Sequence, residues 1–167
     1  MSAAIPEWLF DRAGFRYLLR PARLADAECL AQLDAVVFTS EAWSTDIFAR
    51  SIGSAHERYL LLELPGDEER VAGFVGVSLT PPEADLLAIV IASDLRERGL
   101  GRGMLAAAEG LAGQHRCRQL FLEVRASNTA ALNLYRGAGY ETLGQRERYY
   151  HNPPEAAVVM RKLLRVE

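Results

Sequence analysis

A nearly continuous apolar run, 86-LLAIVIA-92, is followed closely by a glycine-rich turn and an alanine- and leucine-rich stretch. An apolar run of this kind, over residues 85–92, predicts a strand that is buried on both faces of a sheet. The turn itself reads 98-RGLGRGM-104 and has to open the next helix. The chain must therefore place this strand inside a sheet and begin a helix directly after it.

The remaining patterns predict elements in the order β-α-α-β-β-β-α-β-α-β-β. Asp26 and Ser44 are the predicted N-caps of the first two helices. A Pro-Gly-Asp turn at residues 65–67 indicates an antiparallel hairpin between its two flanking strands. The predicted strands cover residues 15–21, 58–64, 71–80, 85–92, 119–124, 141–148 and 156–164. The predicted helices cover residues 26–38, 45–52, 101–115 and 128–137.

This order mixes antiparallel hairpins with helical crossovers, which places the chain in the α+β (mixed α/β) class with a mixed sheet. Its length of 167 residues fits a single domain. We predict an N-terminal extension at residues 1–14 and one domain over residues 15–167.

Charge and composition exclude several classes of protein. The formal net charge is −3, whereas a nucleic-acid-binding domain would carry a basic excess. The longest apolar run is too short to span a bilayer, and the first residues lack the apolar core of a signal peptide. The three histidines and two cysteines show no metal-ligand spacing. We therefore predict a cytoplasmic protein with no metal, no membrane association and no direct nucleic-acid binding.

The glycine-rich turn does not fit two common phosphate fingerprints. Gly99 and Gly101 are followed by Gly103 one residue too early for the dinucleotide pattern, and the turn lacks the lysine of a nucleotide P-loop. Backbone N–H groups at a helix start still attract an anion, helped by the helix dipole. The turn alone leaves two readings open, an anion cradle or a strand-to-helix connection that merely needs glycine.

Arg98, Gly101 and Gly103 resemble the pyrophosphate loop, R/Q-x-x-G-x-G/A, of the GCN5-related N-acetyltransferase (GNAT) family. A second block, 122-LEVRASNTAALNLYRGAGYETLGQRERYY-150, is similar to the corresponding block of bacterial ribosomal-protein-alanine N-acetyltransferases. The resemblance is close over residues 93–150 and looser over residues 15–164. It implies a three-layer fold with a mostly antiparallel central sheet and about four helices. It also implies acetyl-CoA as the co-substrate, without a metal.

The resemblance further implies which residues bind acetyl-CoA. Three residues of the apolar strand would lie along the acetyl and pantetheine arm, the loop would wrap the pyrophosphate, and an asparagine would both cap a helix and touch the arm. The residues so implied are Ile89, Val90, Ile91, Glu97, Arg98, Gly99, Leu100, Gly101, Arg102, Gly103 and Asn128. Backbone N–H groups near Ile91 would stabilise the oxyanion formed during attack if the strand bulges there.

Two residues in the second block are the implied catalytic pair. Amide formation needs a neutral amine, and Glu123 matches the family's proton acceptor. Tyr135 matches the tyrosine that protonates the leaving thiolate, a role suited to a phenol with a reference pKa of about 10. Without the resemblance, Glu123 would be a solvent-facing strand glutamate beside Arg125, and Tyr135 a core aromatic of an amphipathic helix.

The acceptor side is less defined by the sequence. The stretch 42-AWSTDIF-48 resembles the family's P-W-S-x-x-x-F, with Ala42 in place of proline, and Trp43 has either a groove or a core role. Four residues at the end of the second block either line a peptide groove or form the solvated end of a strand. They are Arg146, Arg148, Tyr149 and Tyr150. Near the C-terminus, Glu155-Ala156-Ala157 lacks the aspartate of the family's E-D-A.

The function predicted from these residues is acetyl transfer from acetyl-CoA to a protein N-terminal α-amine, with a ribosomal protein among the candidate partners. The alternatives are a GNAT enzyme for a small-molecule amine and a non-catalytic acyl-CoA-binding regulatory module. The protein would act as a monomer or a homodimer.

Overall fold

The computed structural model describes residues 7–66 and 70–165, which form one sheet with helices on both faces. The strands are β1 Trp8–Phe10, β2 Arg16–Pro21, β3 Glu57–Glu63, β4 Val71–Thr80, β5 Glu83–Ile91, β6 Gln119–Arg125, β7 Glu141–His151 and β8 Pro154–Leu163. The helices are α1 Ala27–Phe38, α2 Thr45–Ile52, α3 Leu100–Gln114 and α4 Thr129–Gly137. None of the described helices is long and apolar enough to cross a membrane.

The sheet has the strand order β1-β2-β3-β4-β5-β6-β8-β7. Only the β5–β6 pair is parallel, because α3 carries the chain back to the same end of the sheet. All other neighbours are antiparallel, including the predicted β3–β4 hairpin. The predicted mixed, mostly antiparallel sheet with four helices is therefore confirmed.

The period-2 alternation of the strands builds two separate cores. In β3, Leu60 and Leu62 belong to the core that contains α3 and α4, while Tyr59 and Leu61 belong to the core that contains α1 and α2. Successive strand residues point to opposite faces, so a run of apolar residues supplies both cores. The result is a three-layer arrangement of helices, sheet and helices.

Strand β5 carries a bulge that interrupts this alternation. Gly76 pairs with Ala88 and Val77 pairs with Leu86, so Leu87 is an extra residue in β5. Leu87 and Ala88 both face the core of α1 and α2, which a regular strand would not allow. The bulge considered near Ile91 is not found there: the irregularity lies at Leu87, and Ile91 stays in register with Gly73.

Two expectations for the N-terminal region need correction. Strand β1 was not predicted; its Leu9 joins the α3 core while pairing with Tyr17 of β2. Asp26 does precede α1, but its carboxylate makes no capping bond to α1. It accepts instead from the Arg23 backbone N–H at 2.6 Å and from Arg20. The division of the chain at residue 14 stays a prediction, and residues 1–6 lie outside the described part.

Gly73 is predicted to be essential for the β4–β5 contact. A Cβ atom at this position would lie 2.3 Å from the Val90 carbonyl oxygen, which is backbone and cannot move aside. We expect Gly73→Ala to lower the free energy of unfolding by about 1–3 kcal/mol or more, measured by urea denaturation. Gly137→Ala is the matched control, because nothing lies within 4 Å of its Cβ position. Equal stability of the two variants would contradict this assignment.

Candidate active site

A cleft opens where β5 and β6 stop pairing. The parallel ladder holds only from Glu83–Gln119 to Asp85–Phe121, and beyond it the two strands diverge. The divergence follows directly before the Leu87 bulge, which reorients β5 at this point. Residues 86–89 of β5 and 122–125 of β6 then form the walls of a cleft with a volume of about 700 Å³. This size is within the range of small-molecule and cofactor sites.

The predicted base Glu123 lies in this cleft. It belongs to β6, whose alternating burial sends Leu122 and Val124 into the core and leaves Glu123 half-buried at the cleft wall. Its carboxylate oxygen Oε1 is 3.2 Å from Nε of Arg146. The Tyr149 hydroxyl lies beside the same carboxylate, which raises the pKa of Tyr149 together with partial burial. Glu123 is therefore a cleft residue and not the solvent-facing strand residue of the alternative interpretation.

The predicted acid Tyr135 enters the same cleft from α4. Asn128 caps this helix by accepting the Ala131 N–H at 3.1 Å, as predicted, and this fixes where the helix begins. The Tyr135 side chain is 8% exposed and packs its ring 5.8 Å from that of Tyr140. Burial, aided by nearby Tyr150, raises the pKa of Tyr135 to about 12, so its hydroxyl stays protonated at neutral pH.

Arg125 joins three segments at one end of the cleft. Its guanidinium is 2.7 Å from Glu41 after α1 and 3.2 Å from Glu155 of β8. It also lies 4.1 Å from the ring centroid of Tyr150 in β7. Glu41 in turn accepts the His151 backbone N–H at 3.3 Å. Because these charges are partly shielded from water, the network fixes the β7–β8 hairpin against the α1–α2 connection.

The cleft carries more acidic than basic groups. Burial raises the pKa of Asp34, although the Trp43 backbone N–H donates to this carboxylate at 2.8 Å. Burial and the charges of Glu83 and Glu123 raise the pKa of Asp85. Burial by itself disfavours a charge of either sign, but the repulsion of Asp85 by Glu83 and Glu123 marks a region of negative potential.

The glycine-rich loop is held by a turn from the N-terminal region. Gly99 is the N-cap of α3 with φ 86°, and a Cβ there would lie 3.3 Å from Cγ of Arg12. The Arg12 backbone N–H donates to the Arg98 carbonyl at 2.9 Å, and Arg98 pairs with buried Asp11 at 3.6 Å. Glu97, at φ 63°, has an exposed side chain, so only its main chain would face a ligand held by the loop. No side chain caps α3, and its first turn has no acidic residue, so its N–H groups remain available to an anion.

Gly101 and Gly103 have a packing role that the sequence did not reveal. A Cβ on Gly101 would lie 3.4 Å from Cδ2 of Leu134, and one on Gly103 would lie 3.1 Å from Cδ1 of Leu9. These two glycines therefore let α3 approach α4 and β1 closely. Leu100 is buried in the core and Arg102 is exposed.

The three residues of the apolar strand that were predicted to bind the cofactor arm differ in where their side chains lie. Ile89 lines the cleft, as does Asn128 at the start of α4. The Val90 side chain is buried in the core of α1 and α2, and the Ile91 side chain contacts the Gly73 position. Only the main chain of Val90 and Ile91 could therefore face a ligand in the cleft. The strand touches both cores, yet residues 87–89 are half-buried because they line this opening.

Sequence reasoning did not identify several residues of the cleft. Asp34, Glu41, Asp85 and Arg125 line it but carry no local pattern that distinguishes them from surface charges. Trp43 combines the two proposed roles, since it lines the cleft and packs 5.6 Å from the Phe48 ring. Within residues 7–66 and 70–165, no group of three or more side chains is arranged to hold a metal.

Comparisons with known proteins agree with this geometry. A family model described as Acetyltransferase (GNAT) family matches residues 25–140. N-alpha-acetyltransferase RimI of Mycobacterium tuberculosis is 34% identical over 140 residues, covering 83% of this chain and 87% of the relative. The [ribosomal protein bS18]-alanine N-acetyltransferase of Salmonella typhimurium is 38% identical over 123 residues, covering 71% of this chain and 78% of the relative.

A solved structure also matches over nearly its whole length. The crystal structure of the ribosomal-protein-S18-alanine N-acetyltransferase from Escherichia coli superposes with a TM-score of 0.76 at 26% identity, covering 90% of this chain and 96% of that chain. The family match extends over most of the chain and includes the apolar strand, the glycine loop, Glu123 and Tyr135. The chain therefore belongs to the GNAT family and is an N-acetyltransferase.

Proposed function

We propose that this protein transfers acetyl from acetyl-CoA to a protein N-terminal α-amine, with the N-terminal alanine of a ribosomal protein as the acceptor class. The observation that carries the proposal is that Glu123 and Tyr135 line one cleft between diverging β5 and β6. The names of the relatives, which specify N-alpha-acetylation and ribosomal-protein alanine, support the choice of acceptor. The protein would act in the cytoplasm, as a monomer or homodimer.

The donor half of the cleft fits acetyl-CoA. The uncapped N–H groups of the first turn of α3, from Gly99 to Gly103, would hold the pyrophosphate, with the Arg98 main chain at the edge. The edge of β5 that faces β6 loses its ladder partner after Asp85, so its main chain and Ile89 would line the pantetheine arm. Asn128 lies at the opposite wall. Acetyl-CoA supplies the activated acetyl thioester when bound.

The two cleft residues have complementary proton roles in the proposed reaction. Glu123 takes the proton that the acceptor amine loses as it attacks, directly or through water. Tyr135, whose pKa is about 12, is protonated at neutral pH and donates to the departing sulfur. Because Tyr135 is largely buried in the cleft wall, that donation is stronger than it would be in bulk water.

The charge of the acceptor half favours an amine. Five acidic residues line the cleft against two arginines, of which Arg125 is paired with Glu41 and Glu155 and Arg146 with Glu123. A cleft lined mainly by one sign of charge concentrates ligands of the opposite sign. An ammonium group is therefore attracted to the cleft before it is deprotonated.

A panel of acceptors tests the proposed function. The protein is incubated with acetyl-CoA and peptides that begin with Ala, Ser or Met, beside polyamines and aminoglycosides as free amines. We expect acetylation of Ala-starting peptides at the α-amine, located by mass spectrometry, and none of the same peptides after N-formylation. A clear preference for the free amines would instead favour a small-molecule enzyme. Tight acetyl-CoA binding without turnover of any amine would favour a regulatory module.

A further inference from the structure

One contact in the cleft has no role in the proposed reaction, the ion pair between Arg146 and Glu123. Arg146 reaches Glu123 across a whole strand. Glu123 lies on β6, β8 separates β6 from β7, and Arg146 lies on β7. The register places Arg125 opposite Ala157 and Ala157 opposite Arg146, so all three lie on the same face of the sheet. The small Ala157 leaves room above β8 for a long side chain.

An irregularity in β7 surrounds this side chain. Between the pairs Arg146–Ala157 and Tyr150–Glu155, β7 has three residues where β8 has one. Arg148 in this bulge has φ 53°, in the left-handed region. The bulge brings Tyr149 beside Glu123 and places the Arg146 guanidinium 5.8 Å from the Tyr149 ring. The bulge in the β7 backbone therefore positions Arg146 and Tyr149 to contact Glu123.

The position of the guanidinium conflicts with the proposed role of Glu123. An amine that loses its proton directly to Glu123 has to come within hydrogen-bond distance of this carboxylate. In the free protein, Arg146 Nε already occupies one carboxylate oxygen at 3.2 Å. The Arg146 side chain is 61% exposed, so it is free to swing out to solvent when another cation arrives.

We propose that Arg146 is a competing cation at Glu123, which occupies in the free protein the place that the acceptor ammonium takes on binding. The inference rests on the proposed function. Acceptor binding then exchanges one cation for another at the same carboxylate. An exposed ion pair of this kind contributes little, so the exchange weakens acceptor binding by only roughly two- to fivefold. A neutral group gains nothing at the carboxylate and leaves Arg146 in place.

The test compares Arg146→Gln with Arg161→Gln, which removes an arginine from an exposed ion pair with Glu141 elsewhere in the same sheet. The affinity of an Ala-starting peptide and of its N-formylated form is measured by calorimetry in the presence of coenzyme A, beside the KM values for peptide and acetyl-CoA. We expect Arg146→Gln to lower the Kd and KM of the amine peptide about two- to fivefold. The Kd of the formylated peptide and the KM for acetyl-CoA stay unchanged. Arg161→Gln changes none of these values.

A charge-retaining variant, Arg146→Lys, is expected to keep the wild-type Kd, because a competing cation remains. An unchanged or weaker affinity of Arg146→Gln for the amine peptide would overturn the inference, as would an equal gain for the formylated peptide. Turnover of the wild-type protein reports on the proposed function separately. If the wild type acetylates the peptide while Arg146→Gln binds it no better, only the assignment of Arg146 fails.

Discussion

Replacing Glu123 by glutamine is expected to lower kcat for an Ala-starting peptide by about 10²- to 10⁴-fold at neutral pH, the range typical of a lost general base. Glutamine keeps the size of the side chain in the cleft wall but does not accept the proton that the amine must lose. The acceptor α-amine titrates near 8, so at neutral pH most of it is charged and needs a proton acceptor.

The pH dependence distinguishes a lost base from a damaged cleft. As the pH rises from 7 to 9.5, solvent deprotonates a growing share of the amine, and the deficit of Glu123→Gln relative to wild type should shrink. Glu141→Gln is the control, because it changes an exposed glutamate of the same sheet outside the cleft. A Glu123→Gln variant with the wild-type kcat would rule out this residue as the base.

Tyr135→Phe is expected to lower kcat by about 10²-fold while leaving the KM for acetyl-CoA within about threefold of wild type. Phenylalanine retains the buried ring and its packing against Tyr140, so the cleft keeps its shape. What is lost is a hydroxyl whose pKa is raised to about 12 and which is therefore a proton donor throughout the neutral range.

Direct binding separates the two possible roles of this tyrosine. Calorimetric titration with coenzyme A should give the same Kd for Tyr135→Phe and wild type if the hydroxyl acts only on the departing sulfur. Tyr140→Phe serves as the control, since Tyr140 is buried beside Tyr135 but does not line the cleft. A large rise in Kd with kcat unchanged would identify Tyr135 as a cofactor-binding residue instead.

Local patterns predicted most of the elements well, because the signals lie within a few neighbouring residues. The Ser44 and Asn128 caps bond to the N–H groups of Ile47 and Ala131, as their positions indicated. The alternation in β6 likewise predicted a strand with every second residue buried. Asp26 does not cap α1 because Arg20 and the Arg23 N–H bind its carboxylate instead. Strand β1 was not predicted because three residues are too few to show an alternation of apolar and polar side chains.

The sequence by itself determined the mixed sheet and the four helices and, through the resemblance of the second block, pointed to the two residues proposed as the catalytic pair. Only the tertiary structure decided what surrounds them. The cleft exists because a ladder ends after Asp85 and a bulge follows at Leu87, which are properties of strand pairing and not of one strand. Arg125 meets Glu41 from 84 residues away, and Arg146 meets Glu123 across an intervening strand. Such contacts depend on register and on small residues between the partners, which no local periodicity records.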